Sequence, residues 1–425
     1  MIGKCVWGEA YIDTMFSFNI PSLLSSGNIG SLHDHDIEHH IYTTADDREK
    51  IGNDPRYRYL ATQIKCSIIV PDVSAAVDAA GPYEAMIARM NAYHQRIIDD
   101  CAAVNAVWLF DQPDHVWGDG SLRHLVELSH DGWDVVFFPG VRVNIEEFTA
   151  AIGPWRDSGN GAIEISNRRL VDLSIKHMHF HDKTRFWGPP LSTDWPHHLA
   201  WRVAPGCFMR RCFYTQPFLI KTSDRPRLNR SIDFSYIEDA IERDDRIHFI
   251  ADTDDFFVLE VSRKYRFSGY SLDKVSMSLV GNWAIRYASS AHLDGFSRSV
   301  VYHSEDVPRR RLKHIDRFAG TVSHAIRAMV ELDRVATSIA ADHPRAATFI
   351  RLCLNHSKLI RRIKVPFPFT LRLPPEAEIP SPEVLQGTQS PGELDRVAEW
   401  IRPYITAEGS DRIAIHPVDD VEAGA

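Results

Sequence analysis

The 425-residue chain has no apolar run near the roughly 18 residues that a bilayer-spanning helix needs. It has no basic surplus either: 48 lysines and arginines face 57 acids, a formal net charge of −9. That balance argues against a general nucleic-acid binder, whose phosphate-facing surface needs positive charge. Cysteine is sparse, and Cys5, Cys66, Cys101, Cys207, Cys212 and Cys353 form neither CxxC pairs nor a regular framework. Such spacing argues against a disulfide scaffold and fits neutral thiols in a reducing cytoplasm. The N-terminus, MIGKCVWGEAYID, lacks the charged, then apolar, then small pattern of a secretory leader. No internal repeat is visible. The expectation is a cytoplasmic chain of two or three domains, or one large α/β domain with additions.

What is present is a regular alternation of short apolar runs with amphipathic stretches. Val107-Trp108-Leu109-Phe110 is wholly apolar, as a strand buried on both faces of a mostly parallel sheet should be. It stops at Asp111-Gln112-Pro113-Asp114, where Pro113 cannot donate to a ladder. Gly118 to Ser121 turns the chain into a helix through Leu122 and Leu128, and Trp133 to Phe138 reads as the next strand. Earlier strands are predicted at Lys4–Trp7, Glu38–Thr44 and Ile64–Val70, with helices over Tyr11–Leu24 and Tyr83–Cys101. This order makes a doubly wound, mostly parallel α/β sheet the default fold. Further elements are predicted at 167–177 (helix), 212–220 and 247–261 (strands) and 237–241 (helix). Residues 1–265 are read as the sheet domain and 266–373 as a mainly helical C-terminal addition. From 374 to 425 proline and acids predominate, which predicts a poorly ordered tail with a short helix near Leu394–Ile401.

Open α/β sheets bind ligands at the carboxyl ends of their strands, so Asp111 and Asp114 mark a site. Carboxylates so placed can hold a divalent cation, Mn²⁺ or Mg²⁺, against a diphosphate. The plainer alternative is a capping Asp beside a solvated one. After the first strand, Trp7-Gly8-Glu9 offers a glycine that lets backbone approach a phosphate. Asp46, after the second strand, stands where a nucleotide contact is made, although loop aspartates are common. His177 and His181 would share a face if the preceding helix continued, and His179 and His181 if the segment is extended; such imidazoles could bind metal or act as a base. Asp252, Asp254 and Asp255 interrupt two apolar runs, so they face a cleft or form a turn. Like charges there should raise one carboxyl toward neutrality, which makes Asp254 the first candidate base, then Asp252, then His181. The basic clusters Arg309–His314 and Arg361–Lys364 are solvated helix faces or contacts to phosphate or anionic lipid.

Taken together, VWGEAYID, TTADD, FDQPDHVWGDGSL, GAIEISNRRLVDLSIKHMHFH, RCFYTQPFLIK, NRSIDFSYI and FIADTDDF resemble bacterial glycosyltransferases of the GT-A type. More narrowly, they look like a group associated with surface-polysaccharide genes. The resemblance covers roughly residues 3 to 262 and implies a nucleotide-sugar donor and a glycan or lipid-linked acceptor. It also implies work at the inner face of the membrane, possible only through peripheral contact. Carried over, Asp46 becomes a nucleotide contact, Asp111 and Asp114 the metal-binding acids, and a histidine such as His179 a further ligand. The spacing here is D-x-x-D rather than D-x-D, and Tyr214 and Gln216 stand where the group favours histidine. The alternatives are a metal-dependent hydrolase using the His and Asp clusters, and a non-catalytic nucleotide- or carbohydrate-binding protein.

Overall fold

A computed structural model of the chain describes residues 1–73, 82–213, 216–222, 228, 232, 234–240, 246–264, 270–271 and 273–355. The expected tail from 374 to 425, its helix near Leu394–Ile401, and the cluster Arg361–Lys364 lie outside the described residues. In chain order the strands are β1 (Ile2–Cys5), β2 (Glu38–Tyr42), β3 (Lys65–Ile69), β4 (Val107–Phe110), β5 (His115–Trp117), β6 (Val135–Phe138) and β7 (Val141–Asn144). They continue as β8 (Ser192–Thr193), β9 (His198–Ala204), β10 (Cys207–Cys212), β11 (Gln216–Lys221), β12 (Ile247–Phe249), β13 (Val258–Ser262), β14 (Tyr270–Ser271) and β15 (Val300–His303). The chain divides into two compact units: Met1–His177 with Tyr214–Lys264, and Met178–Phe213 with Tyr265–Ala425.

The first unit is mixed α/β around a mostly parallel sheet in the order β12-β6-β11-β4-β1-β2-β3. β1 pairs parallel with both β2 and β4, and β2 parallel with β3, which is the expected alternation of strand and helix folded up. β11 enters antiparallel between β4 and β6, a reversal that the apolar pattern did not announce. Its register shifts between Pro217 and Leu219, where proline has no N–H to give the ladder.

Both faces of the inner strands are covered. Register puts Ile2, Lys4, His39, Ile41 and Leu109 on one face and Gly3, Cys5, His40, Tyr42 and Phe110 on the other. The second face receives the helix Pro82–Ala103, whose Tyr93, Ile97 and Cys101 recur every four residues and are buried. A Cβ on Gly3 would lie 2.9 Å from Ile97 Cγ2 and 2.9 Å from Trp108 Nε1, so the helix can sit this close only over a glycine. The first face receives the helical run Glu9–Leu23, with a π turn at Met15–Asn19 just before Pro21. Proline lacks the N–H a regular helix would use there, and the wider turn carries the chain past it. A small sheet, β5-β13-β7, adjoins β4 in sequence and belongs to this unit.

The second unit holds the sheet β15-β10-β9 and the helices Met277–Tyr287, Ser290–Phe296, Arg309–Ile339 and Pro344–Asn355. Ile315, Phe318, Ala319, Val322, Ile326, Met329 and Val330 line the buried stripe of the long helix at three- and four-residue spacing. Residues 178–213 cluster with these helices rather than with the sheet unit. The single strand expected at 212–220 is two strands, β10 and β11, one in each unit. Among the described residues, no helix is long and apolar enough to cross a membrane.

Candidate functional site

β1 and β4 lie side by side at the point where the sheet order turns from β2 on one flank to β4 on the other. Trp7, Gly8 and Glu9 follow β1, and Asp111 and Asp114 follow β4, so the expected acids do stand at the carboxyl edge. Their environments differ sharply. Asp111 is enclosed with Lys4, both side chains 0% exposed and paired carboxylate to ammonium. Its Oδ1 accepts from Asn19 Nδ2 (2.9 Å), Trp117 Nε1 (2.9 Å) and the Gln112 amide (2.9 Å). Asn19 is delivered by the π turn; its Oδ1 accepts from Lys4 Nζ, and its Nδ2 also donates to the His115 carbonyl (3.2 Å). Against the cost of burial, Lys4 and His115 hold the Asp111 carboxyl well below the usual carboxylate range. His39 lies fully buried on the same face, and burial followed by the nearby Lys4 charge keeps it neutral.

Asp114 is the opposite case. Its Oδ1 is buried with no hydrogen-bond partner. Burial, then the negative charge of Glu260, push its carboxyl up to about 7, while His115 and Arg142 pull the other way. The small sheet arranges these groups: Glu260 on β13 is registered with His115 on β5 and with Arg142 on β7. Arg142 Nη2 holds both Glu260 oxygens, at 2.7 and 2.9 Å. Val261 N–H donates to the Asp114 carbonyl (2.9 Å) and fixes the turn. Below it, Cys5 Sγ is 3.4 Å from His94 Nε2. Burial raises that thiol to about 12 and lowers the imidazole to about 4, so the pair is neutral and unreactive at pH 7.

The Asp111–Asp114 pair does not fit a divalent cation. Every oxygen of Asp111 is engaged, its counter-charge is Lys4, and an ammonium beside it repels a second cation. Asp114 alone offers one carboxylate, too few oxygens for a hard cation. On that chemistry the pair is poorly suited to the cation expected there.

The remaining candidates fall as follows. Gly8 has φ of +78°, and its N–H donates to Asp47 Oδ2 (2.9 Å), which also accepts from the Thr44 hydroxyl (2.8 Å). Asp47, not Asp46, thus ties the β1 loop to the β2 loop, and Asp46 stands exposed in the first turn of the helix Ala45–Asn53. Trp7 is half-buried, edge-on to Tyr93 at 5.5 Å with Arg89 over its ring. Glu9 is exposed and reaches Lys50 (3.4 Å). Asp252 and Asp254 form a turn after β12, three strands from β4 in sheet order. Asp252 Oδ1 accepts from the Asp254 amide (2.9 Å), and Asp254 is gripped by Arg168 Nε and Nη2, both at 2.8 Å. Asp254 is thus paired with a guanidinium, in a turn away from β4 in the sheet order.

His177 ends the helix Asn167–Lys176, so the face shared with His181 does not form. His179 is buried and caps the next short helix, its Nδ1 accepting from the His181 amide (3.2 Å). Both belong to the second unit, where Asp182 lies between Arg185 (2.5 Å) and Arg210 (3.4 Å). Lys4, Asn19, Arg142 and Glu260 were not singled out from the sequence. A lysine inside the apolar strand IGKC was the available signal, because a buried ammonium demands an acid. Comparisons of the chain with protein-family models, with curated proteins and with solved structures found no match.

Proposed function

We propose that the chain is a glycosyltransferase of the GT-A type, moving a sugar from a nucleotide-sugar donor to a glycan or lipid-linked acceptor in surface-polysaccharide synthesis. The observation that carries the reading is the strand order β3-β2-β1-β4. The chain leaves β1 toward β2 on one flank and leaves β4 toward β6 on the other, and doubly wound sheets bind nucleotides in a crevice at the carboxyl edge beside such a reversal. The loop at that crevice offers the exposed Gly8 and Glu9 and the half-buried Trp7, which suits a base or ribose. Asp114 and Glu260 stand on the β4 side of the same edge, where the sugar and its diphosphate would lie. In the transfer, an acceptor oxygen bonds to the anomeric carbon, the bond to the diphosphate breaks, and the hydroxyl proton needs a base.

The test is turnover. A panel of sugar nucleotides incubated with a lipid-linked or oligosaccharide acceptor should release nucleoside diphosphate for at least one donor, and D114N should abolish that release while remaining folded. Hydrolysis of phosphoesters with no sugar transferred would favour the hydrolase instead.

A further inference from the structure

The edge described above contains one carboxylate with no assigned partner for a buried oxygen, and a neighbouring pair that has no evident task. Glu260 and Arg142 sit across from each other on parallel strands, and His115 completes the row. A half-exposed Arg–Glu pair on a small sheet contributes little stability by itself. Its placement beside Asp114 is what distinguishes it. Glu260 brings a carboxylate beside Asp114, Arg142 pairs with it, and the ladder bond from Val261 holds the Asp114 backbone against them. The charged and titratable groups acting on Asp114 are then Glu260 on β13, His115 on β5, Arg142 on β7 and Cys5 on β1.

We propose that Asp114 is the proton-accepting residue of this edge, with Glu260 and Arg142 as the pair that positions it and sets its basicity. The inference rests on the transferase reading. In the step, the Asp114 carboxylate takes the acceptor hydroxyl proton as the acceptor oxygen bonds to the anomeric carbon. The electron pair of the broken glycosyl–phosphate bond leaves with the nucleoside diphosphate, so charge and atoms balance. Burial and the Glu260 charge raise the Asp114 carboxyl to about 7, which matches a base working near neutral pH. Asp254, held by Arg168, has no such freedom.

Two measurements test this, one of them independent of turnover. Asp114 is protonated in the fold at pH 5 and ionised at pH 8, whereas in the unfolded chain it is ionised at both. Its raised carboxyl therefore costs stability progressively as pH climbs from about 4, the ordinary carboxylate value, to about 7. D114N should melt close to wild type at pH 5 and above it at pH 8; an equal difference at both pH values overturns the proposal. In turnover, kcat/KM for the best donor should rise with pH to a plateau above about 7. E260Q should move that limb down by roughly one pH unit and R142Q should move it up, since one removes a like charge and the other an opposite one. D114N should lose on the order of 100-fold or more in kcat with donor KM little changed. A limb that ignores both E260Q and R142Q, or a D114N variant within a few-fold of wild type, overturns it. If D114N does not fold, the same Tm comparison on E260Q, whose pH 8 gain should exceed its pH 5 gain, decides. Should the stability readouts hold while no sugar nucleotide turns over, the transferase reading fails and the proton site stands.

Discussion

Removing either member of the Lys4–Asp111 pair leaves the other charge enclosed under the sheet without a counter-charge. Both side chains are fully buried, so water cannot compensate. K4M and D111N should each destabilise by about 3–5 kcal/mol, the usual cost of breaking a buried pair from one side. The double variant K4M/D111L should cost less than the sum, because it removes both charges together. It should still fall short of wild type, since Asn19 and Trp117 lose the acceptor they now share. Denaturant unfolding of the four proteins checks this; additive losses would show that the two groups do not depend on each other. The sign with pH follows from the lowered Asp111 carboxyl. Its stabilisation is present above about 4, the ordinary carboxylate value, and is lost as pH falls toward the much lower folded value. The sequence marked Asp111 as an unusual acid, and it is one. What it could not supply was the partner, because Lys4 reaches Asp111 only through the parallel pairing of β1 with β4.

At the scale of elements, the Asn28 side chain ties the loop between Leu24 and Leu32 to its neighbours. Asn28 is fully buried; its Nδ2 donates to the Ser22 carbonyl (2.9 Å) and the Gly118 carbonyl (3.2 Å), and its Oδ1 accepts from the Leu122 amide (2.9 Å). That last bond caps the helix Ser121–His130, whose N-cap is Gly120 and supplies no side chain. N28A should cost about 1–3 kcal/mol for each buried group it leaves unsatisfied, read as a fall in urea midpoint. A loss below about 0.5 kcal/mol would mean that water replaces the side chain. Regular elements were legible from pattern alone: β4 spans the expected residues, and the helices at 82–103 and 167–176 lie where apolar spacing placed them. Nothing in the sequence singles out Asn28, since a buried loop asparagine looks like an exposed one until its three partners are in place. The antiparallel course of β11 was equally silent, because QPFLIK carries no mark of direction.

Over the whole molecule, the first unit is discontinuous in sequence, with residues 178–213 assigned to the second before the chain returns as β11. The sheet unit ends at Lys264, and the excursion at 178 had no compositional signal. His177 and the HMHFHD stretch read as one histidine-rich site precisely where the chain changes unit. The central claim concerns the carboxyl edge between β1 and β4, and nucleotide binding there tests it most directly. The measurement is the melting temperature of the full chain with uridine, guanosine, adenosine, cytidine and thymidine diphosphates, once with MnCl₂ and once with EDTA. One nucleoside diphosphate should raise Tm in at least one series, by about 2–4 °C for each kcal/mol of binding linkage, and its monophosphate by less. No rise with any nucleotide in either series would contradict the assignment.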